Sequence, residues 1–300
     1  MTASLFPGFT EERIPCGAVT LFVRHNAAPD RPALLLLHGY PQTSAMWHGV
    51  APLLADRFHV ICPDLRGYGR SDKPASAPDH APYSKRAMAD DFAALLDHFG
   101  HDSAWVGAHD RGARVAHRMA LDHSGRVRAL VLLDIAPTRE MYANTSTTFA
   151  RAYWHWYFLT QPAPFPETMI GHDPRAFWLG KCIRQAGSTG TGPFHPDAKD
   201  EYLRCFDDPA AIHASCEDYR AAATIDIAHD DVDGGRKVSQ PLLALWARRG
   251  VIERAFDPLS LWRSRADDVT GKALDASHYM AEEIPSEIAL HMTRFFTARA

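Results

Sequence analysis

The sequence predicts an α/β fold, a mostly parallel sheet with helices on both faces and a helical segment inserted late in the chain. Three observations predict it. Short runs of consecutive apolar residues (Ala33–Leu37, Ala129–Leu133 and Leu242–Trp246) have the length of strands covered on both faces. Helical patterns alternate with them, as parallel strands joined by crossovers require. From Pro137 to about Gly235 such runs disappear, prolines break up the helical pattern and aromatic residues cluster. That stretch is too long for a connecting loop.

At 300 residues and 46% hydrophobic, the chain can bury one large core plus a lid. The expected division is a core of residues 1–136 and 236–300 with a helical cap at 137–235. The formal net charge is -4 with both signs interspersed, which argues against a nucleic-acid partner. Cys16, Cys62, Cys182, Cys205 and Cys216 are odd in number and lack CxxC spacing. They read as reduced thiols, not as a disulfide frame or a zinc site. Residues 1–10 carry neither a basic start nor a long apolar run, and no stretch is long enough to span a bilayer. The expectation is a cytoplasmic protein with no membrane partner and no metal.

In order, Arg13–Pro15 and Val19–Arg24 read as a hairpin around Gly17, and Ala33–Leu37 as a buried strand ending in the turn His38-Gly39-Tyr40-Pro41. Trp47–Arg57 has apolar residues at helical spacing. Phe58–Cys62 is the next strand, leading into the polar loop Pro63-Asp-Leu-Arg-Gly-Tyr-Gly-Arg-Ser-Asp72. Ala87–Phe99 is an amphipathic helix with Phe92, Leu95, Leu96 and Phe99 on one stripe. Ala104–Val106 is a strand and Arg114–His123 a helix, with Gly107-Ala-His-Asp110-Arg-Gly112 turning between them. The strand Ala129–Leu133 ends at Asp134. After the insert, Leu242–Trp246 and Gly271–Leu274 resume the strand pattern, Ser277-His278-Tyr279 follows, and Pro285–Phe296 closes the chain as a helix. The run Asp230-Asp231-x-Asp233 lacks a later bidentate glutamate and reads as a solvated loop, not a cation site.

Asp110, Asp134 and His278 each stand at the C-terminal end of a predicted strand, the edge where open parallel sheets bind ligands. The turn around Asp110 is like a nucleophile elbow with Asp in place of Ser. A carboxylate is ionised near neutral pH and can attack a saturated carbon without a base. His278 would then activate water against the resulting ester, with Asp134 orienting its imidazole. The backbone N–H groups of Tyr40 and Arg111 are the candidate oxyanion donors. Glu253 and Asp257 are rival acids after the Leu242–Trp246 strand. The segment Arg248–Ile252 lacks an Asp, which favours Asp134. Arg111 and Arg114, three apart on one helix face, suit a substrate carboxylate held at both oxygens.

These segments resemble an α/β-hydrolase from about residue 10 to the end. Within that fold, His109-Asp110-Arg111-Gly-Ala-Arg114, Asp134 and the pair His155-Trp156 resemble the fluoroacetate dehalogenases. The resemblance implies a cofactor-free hydrolase, a homodimer, that acts on short 2-haloacids. Its arginines grip the carboxylate, and His155, Trp156 and Tyr219 donate to the departing halide. Fluoride concentrates its charge in a small ion, so aimed donors matter most for it. The glycine-rich stretch Gln185–Gly192 suggests a looser pocket wall.

The nearest rival is an epoxide hydrolase, which shares the nucleophile, base and acid. It would use two lid tyrosines, for which Tyr153, Tyr157 and Tyr202 are available, and has no need of paired arginines. Asp110 excludes a serine esterase. A ligand-binding protein of the same fold without turnover is the alternative of a different class.

Overall fold

The computed structural model describes residues 5–186 and 192–299 of the chain. Most of the glycine-rich stretch therefore lies outside the described residues. Eight strands form one sheet in the order β1-β2-β4-β3-β5-β6-β7-β8. β1 (Phe9–Cys16) and β2 (Val19–Asn26) are an antiparallel hairpin, and β2 also runs antiparallel to β4 (His59–Pro63). The rest is parallel: β3 (Ala33–Leu37), β5 (Ala104–His109), β6 (Val127–Leu133), β7 (Leu242–Ala247) and β8 (Val269–Leu274). Every residue of β3, β4 and β5 is buried, because helices cover both faces there; the edge strand β8 is exposed at alternate positions.

The strand order fixes where a ligand can sit. β4 lies on one side of β3 and β5 on the other, so the chain reverses its direction of travel across the sheet at that point. Beyond the carboxyl ends of β3 and β5 the crossovers part and leave a crevice. Tyr40 follows β3 and Asp110 follows β5, so both face this crevice.

Two local elements differ from the sequence expectation. Trp47–Arg57 is not one helix but a 3-10 turn, Ser44–Trp47, and a single helical turn, Ala51–Leu54. Pro52 has no N–H to donate four residues back, so a helix can start around it but cannot continue into it from Trp47. The apolar spacing instead reflects a buried irregular segment, in which Met46, Trp47, Val50 and Leu54 are all buried. The helix expected from Arg114 starts at Asp110 itself and runs Asp110–Asp122.

All helices from Thr138–Ala143 to Ile225–Asp233 lie between β6 and β7. Several of the prolines there stand in the first turn of a helix, where the missing N–H costs nothing, as in Pro196–Phe206 and Pro209–Ala223. This insert is fastened to the sheet domain by buried ion pairs with the cation on the sheet side. Arg24 meets Glu201 at 2.7 Å, Arg118 meets Asp230 and Asp233 at 2.5 Å each, and Arg265 meets Glu140 at 2.6 Å. The triple-aspartate run is thus the end of a helix clamped by Arg118, not a solvated loop. Among the described residues no helix is long and apolar enough to cross a membrane.

Candidate active site

The turn at Asp110 is built from strain and close packing. Asp110 has φ 48°, a left-handed conformation that L-residues adopt only where the surroundings enforce it. The surroundings are glycines. A Cβ on Gly39 would lie 2.5 Å from the Asp110 Cβ, and one on Gly112 would lie 2.4 Å from the His38 carbonyl oxygen. Gly112 N–H donates to that same carbonyl at 2.9 Å, pinning the first helical turn against the end of β3. The small residue two before Asp110 is Ala108; Gly107, one further back, packs against Leu36 and Met292.

The carboxylate of Asp110 is 4% exposed. Its Oδ1 accepts from the Tyr40 N–H at 3.1 Å, and its Oδ2 lies 3.9 Å from His278 Nε2. Burial alone would raise its pKa. His278 above all, with His109, Lys181 and Arg111, instead holds it well below the usual carboxylate range. His278 Nδ1 donates to Asp134 Oδ2 at 2.7 Å, which turns Nε2 toward Asp110. Asp134, also at a positive φ of 47°, accepts from the Ala247 N–H through Oδ1 at 2.9 Å. The rival acids are engaged elsewhere: Glu253 accepts from the Trp246 indole, and Asp257 caps the helix Pro258–Arg265. His109 Nε2 donates to the His278 carbonyl at 2.8 Å and steadies the loop that carries the imidazole.

Arg111 and Arg114 are both buried beside Asp110, but in unlike settings. Arg111 is already paired: its Nε and Nη2 donate to the two Asp218 oxygens at 2.8 and 2.6 Å. Its Nη1 has no partner within the protein. Of the Arg111 fork, only this nitrogen is left for a further partner. Arg114 donates to Thr138 Oγ1 at 2.6 Å and meets no carboxylate, and its Nε is unpartnered. Burial, and then repulsion from Arg111, push its guanidinium down to about 10. A buried cation without a counter-charge is costly.

Across from these groups stand residues of the insert. The Arg111 guanidinium lies 4.1 Å from the Tyr219 ring centre and that of Arg114 lies 4.4 Å from the Trp156 ring. His155, Trp156 and Tyr219 pack ring to ring at 5.8 and 6.3 Å around Tyr219. The Trp156 indole N–H and the Tyr219 hydroxyl are buried without a partner in the protein. Burial, then the charge of Lys181, keep the His155 imidazole neutral.

Two contributors, Asp218 and Lys181, escaped the sequence, and a third, Tyr153, was read there only as an available lid tyrosine. Asp218 receives Arg111, the Tyr68 hydroxyl at 2.6 Å and Lys85. Tyr153 brings its hydroxyl within 3.3 Å of His278 Nδ1. Lys181 is buried and donates to the Tyr40 carbonyl at 3.3 Å. Helical spacing around Tyr153 signalled only packing, and nothing local marks the other two. Among the described residues, Glu167, His213 and Glu217 lie close enough to hold an ion. Arg220 already donates to both glutamates at 2.7 Å.

A strained aspartate at the switch point, with a second aspartate at a strand end and a histidine on the loop after the last strand, fits a hydrolase of the α/β type. The family of the alpha/beta hydrolase fold matches residues 32–250, and the chain belongs to it. More particularly, the chain is 44% identical over 293 residues to fluoroacetate dehalogenase of Burkholderia sp, covering 98% of this chain and 95% of that protein. It is 29% identical to the soluble epoxide hydrolase of Corynebacterium sp. (strain C12), over 88% and 89% of the two chains. Among solved structures, a Nostoc sp PCC 7120 protein described as an alpha/beta hydrolase superposes with a TM-score of 0.91 at 49% identity, over 96% of this chain and 98% of that one.

Proposed function

We propose that the protein removes halide from short 2-haloacids by hydrolysis, fluoroacetate giving glycolate and fluoride. The observation that carries this reading is Arg114, a buried guanidinium with no carboxylate of its own, set beside a nucleophilic carboxylate. A substrate carboxylate bound by Arg114 and the free Nη1 of Arg111 supplies the missing charge. The substrate's second carbon then lies toward Asp110, and the halogen toward Trp156, Tyr219 and His155.

Asp110 Oδ1 is already hydrogen-bonded to Tyr40, so Oδ2 is the attacking atom. It forms a C–O bond as the carbon–halogen bond breaks, and the halide leaves with the electron pair. Oδ1 becomes the ester carbonyl oxygen. Water then adds to the Asp110 Cγ, giving its proton to His278 Nε2, while Asp134 balances the imidazolium. The Tyr40 and Arg111 N–H groups hold the oxyanion. Collapse expels glycolate, which takes the proton from His278, and the Asp110 carboxyl, which keeps the water oxygen, releases the remaining water proton to solvent and is ionised again. The helical insert, 137–235, serves as the cap over this chamber. The same reading takes the enzyme as a cytoplasmic homodimer without a cofactor; the dimer rests on the family likeness and is checked by light scattering.

The experiment is to trap the ester. His278→Gln incubated with chloroacetate or fluoroacetate should leave the Asp110 peptide heavier by a carboxymethyl group. A folded, substrate-binding variant with unmodified Asp110 would count against the mechanism. Epoxide hydrolysis is the second reading, favoured by the Tyr153 and Tyr219 hydroxyls and by the likeness to an epoxide hydrolase. It leaves Arg114 without a function, and epoxide turnover without halide release would decide for it.

A further inference from the structure

Where the insert meets the sheet domain, a cavity of about 150 Å³ is lined by Arg151, Trp154, His155, Lys181, Gln185 and Arg254. Ala152 and Val251 complete the lining; three of its eight residues are cations and, among the described residues, none is an acid. Arg151 closes the helix Thr147–Ala152, Lys181 lies on Pro174–Gln185, and Arg254 comes from the sheet side on Val251–Ala255. Other cations at this seam are matched: Arg24, Arg118 and Arg265 each face an insert carboxylate. These three have no ion pair among the described residues. The two arginines are exposed, so water can solvate them, but Lys181 is only 5% exposed. Its ammonium has one long hydrogen bond, to the Tyr40 carbonyl at 3.3 Å, and sits 4.8 Å from the Tyr40 ring centre.

The cavity also leads inward. His155 lines it and stacks on Tyr40 with centroids 6.1 Å apart. Tyr40 in turn offers its N–H to Asp110 and its carbonyl to Lys181. One residue thus separates the cation of the cavity from the nucleophile. Cations around a low-dielectric opening concentrate anions there, and a small anion would give Lys181, which feels the Asp110 carboxylate only at a distance, a direct counter-ion.

We propose that this cavity is an anion-binding vestibule, a site for a short carboxylate or a halide ion at the entrance to the catalytic chamber. Its place on a substrate's path rests on the haloacid reading above; its affinity for anions does not. The test therefore has two arms. Trp154 lines the cavity, so the difference in quenching between wild type and Trp154→Phe isolates an indole inside it. At fixed ionic strength, iodide should quench that component about threefold less in Lys181→Met and in Arg151→Gln/Arg254→Gln, a change on the scale of a potential of about one kT. Quenching by neutral acrylamide should be unchanged in both variants. Equal iodide quenching in all three proteins overturns the proposal, as does a parallel loss with acrylamide, which would mean a closed pocket and not a lost charge.

In the second arm, the surface pair Arg151→Gln/Arg254→Gln should raise KM for chloroacetate about three- to tenfold with kcat unchanged, the pattern of weakened uniform binding. An unchanged KM removes the vestibule from the substrate's route. Expected iodide results with no halide released from any haloacetate by wild type would uphold the anion site and refute only the reaction.

Discussion

The sheet domain and the helical insert build the site in different ways. The sheet places Asp110, Asp134 and His278 through backbone: two positive-φ aspartates at strand ends, a glycine too close to its neighbour to carry a Cβ, and the loop after β8 held by its own carbonyl. The insert places His155, Trp156, Tyr219 and Lys181 through side chains on helices, held to the sheet side by buried charge pairs. Backbone placement is rigid and allows one geometry, which suits bond-making atoms. Side-chain placement on a docked insert can be altered one residue at a time, which suits selection of substrate and leaving group.

The comparison breaks most severely at the triad. Asp134→Asn should lower kcat by about 10⁴, the scale of losing the acid of a triad, while Glu253→Gln leaves it within twofold. Steady-state halide release measures both. The reverse result would move the acid from β6 to the segment after β7.

Next comes the insert. Trp156→Phe and Tyr219→Phe should slow single-turnover defluorination by about ten- to a hundredfold, from a transition-state hydrogen bond of about 1.5–3 kcal/mol. Dechlorination should suffer less, because chloride leaves with less help. Equal losses on both substrates would mean that these rings shape the pocket without binding the halide.

A smaller effect is expected where the two regions share a residue. Asp218 belongs to the insert yet holds Arg111 of the sheet domain, so Asp218→Asn should loosen the guanidinium without touching the triad. KM for fluoroacetate should rise about tenfold, with kcat changing less. A fall in kcat at constant KM would place Asp218 in the chemistry instead of in positioning.

Legibility in the sequence follows the same division. The buried strands could be read because covering both faces requires unbroken apolar runs, as in Ala33–Leu37. Asp110, Asp134 and His278 could be singled out because strand ends in a parallel sheet converge. His155, Trp156 and Tyr219 had no such signal and came from the family resemblance; their spacing alone reads as packing. Asp218 and Lys181 were invisible because their roles depend on contacts with residues more than a hundred positions away, Arg111 and Tyr40. The division of Arg111 between a structural partner and a free Nη1 is likewise a property of the packed seam.

The mildest test concerns that seam. Glu282, on the sheet side, accepts from Gln42 Nε2 at 2.8 Å and from the hydroxyl of the insert's Tyr202 at 2.6 Å. Burial pushes its carboxyl up to about 8. A carboxyl with a raised folded value binds its proton more tightly in the folded state. Its stabilising contribution is complete below the unfolded value of about 4.5 and is lost as pH rises toward 8. Glutamine keeps the accepting oxygen and cannot ionise. Glu282→Gln should therefore melt within a degree of wild type near pH 5 and about 2–6 °C above it at pH 8.5, scaled to a 300-residue chain. Halide release at pH 7 should be unaffected, since no group of the triad touches Glu282. Melting curves across this range are the measurement. A wild-type protein whose stability relative to Glu282→Gln does not fall between pH 5 and 8.5 would mean that this carboxyl is ionised at the seam throughout, and that the insert is held there by charge as it is at Arg24 and Arg118.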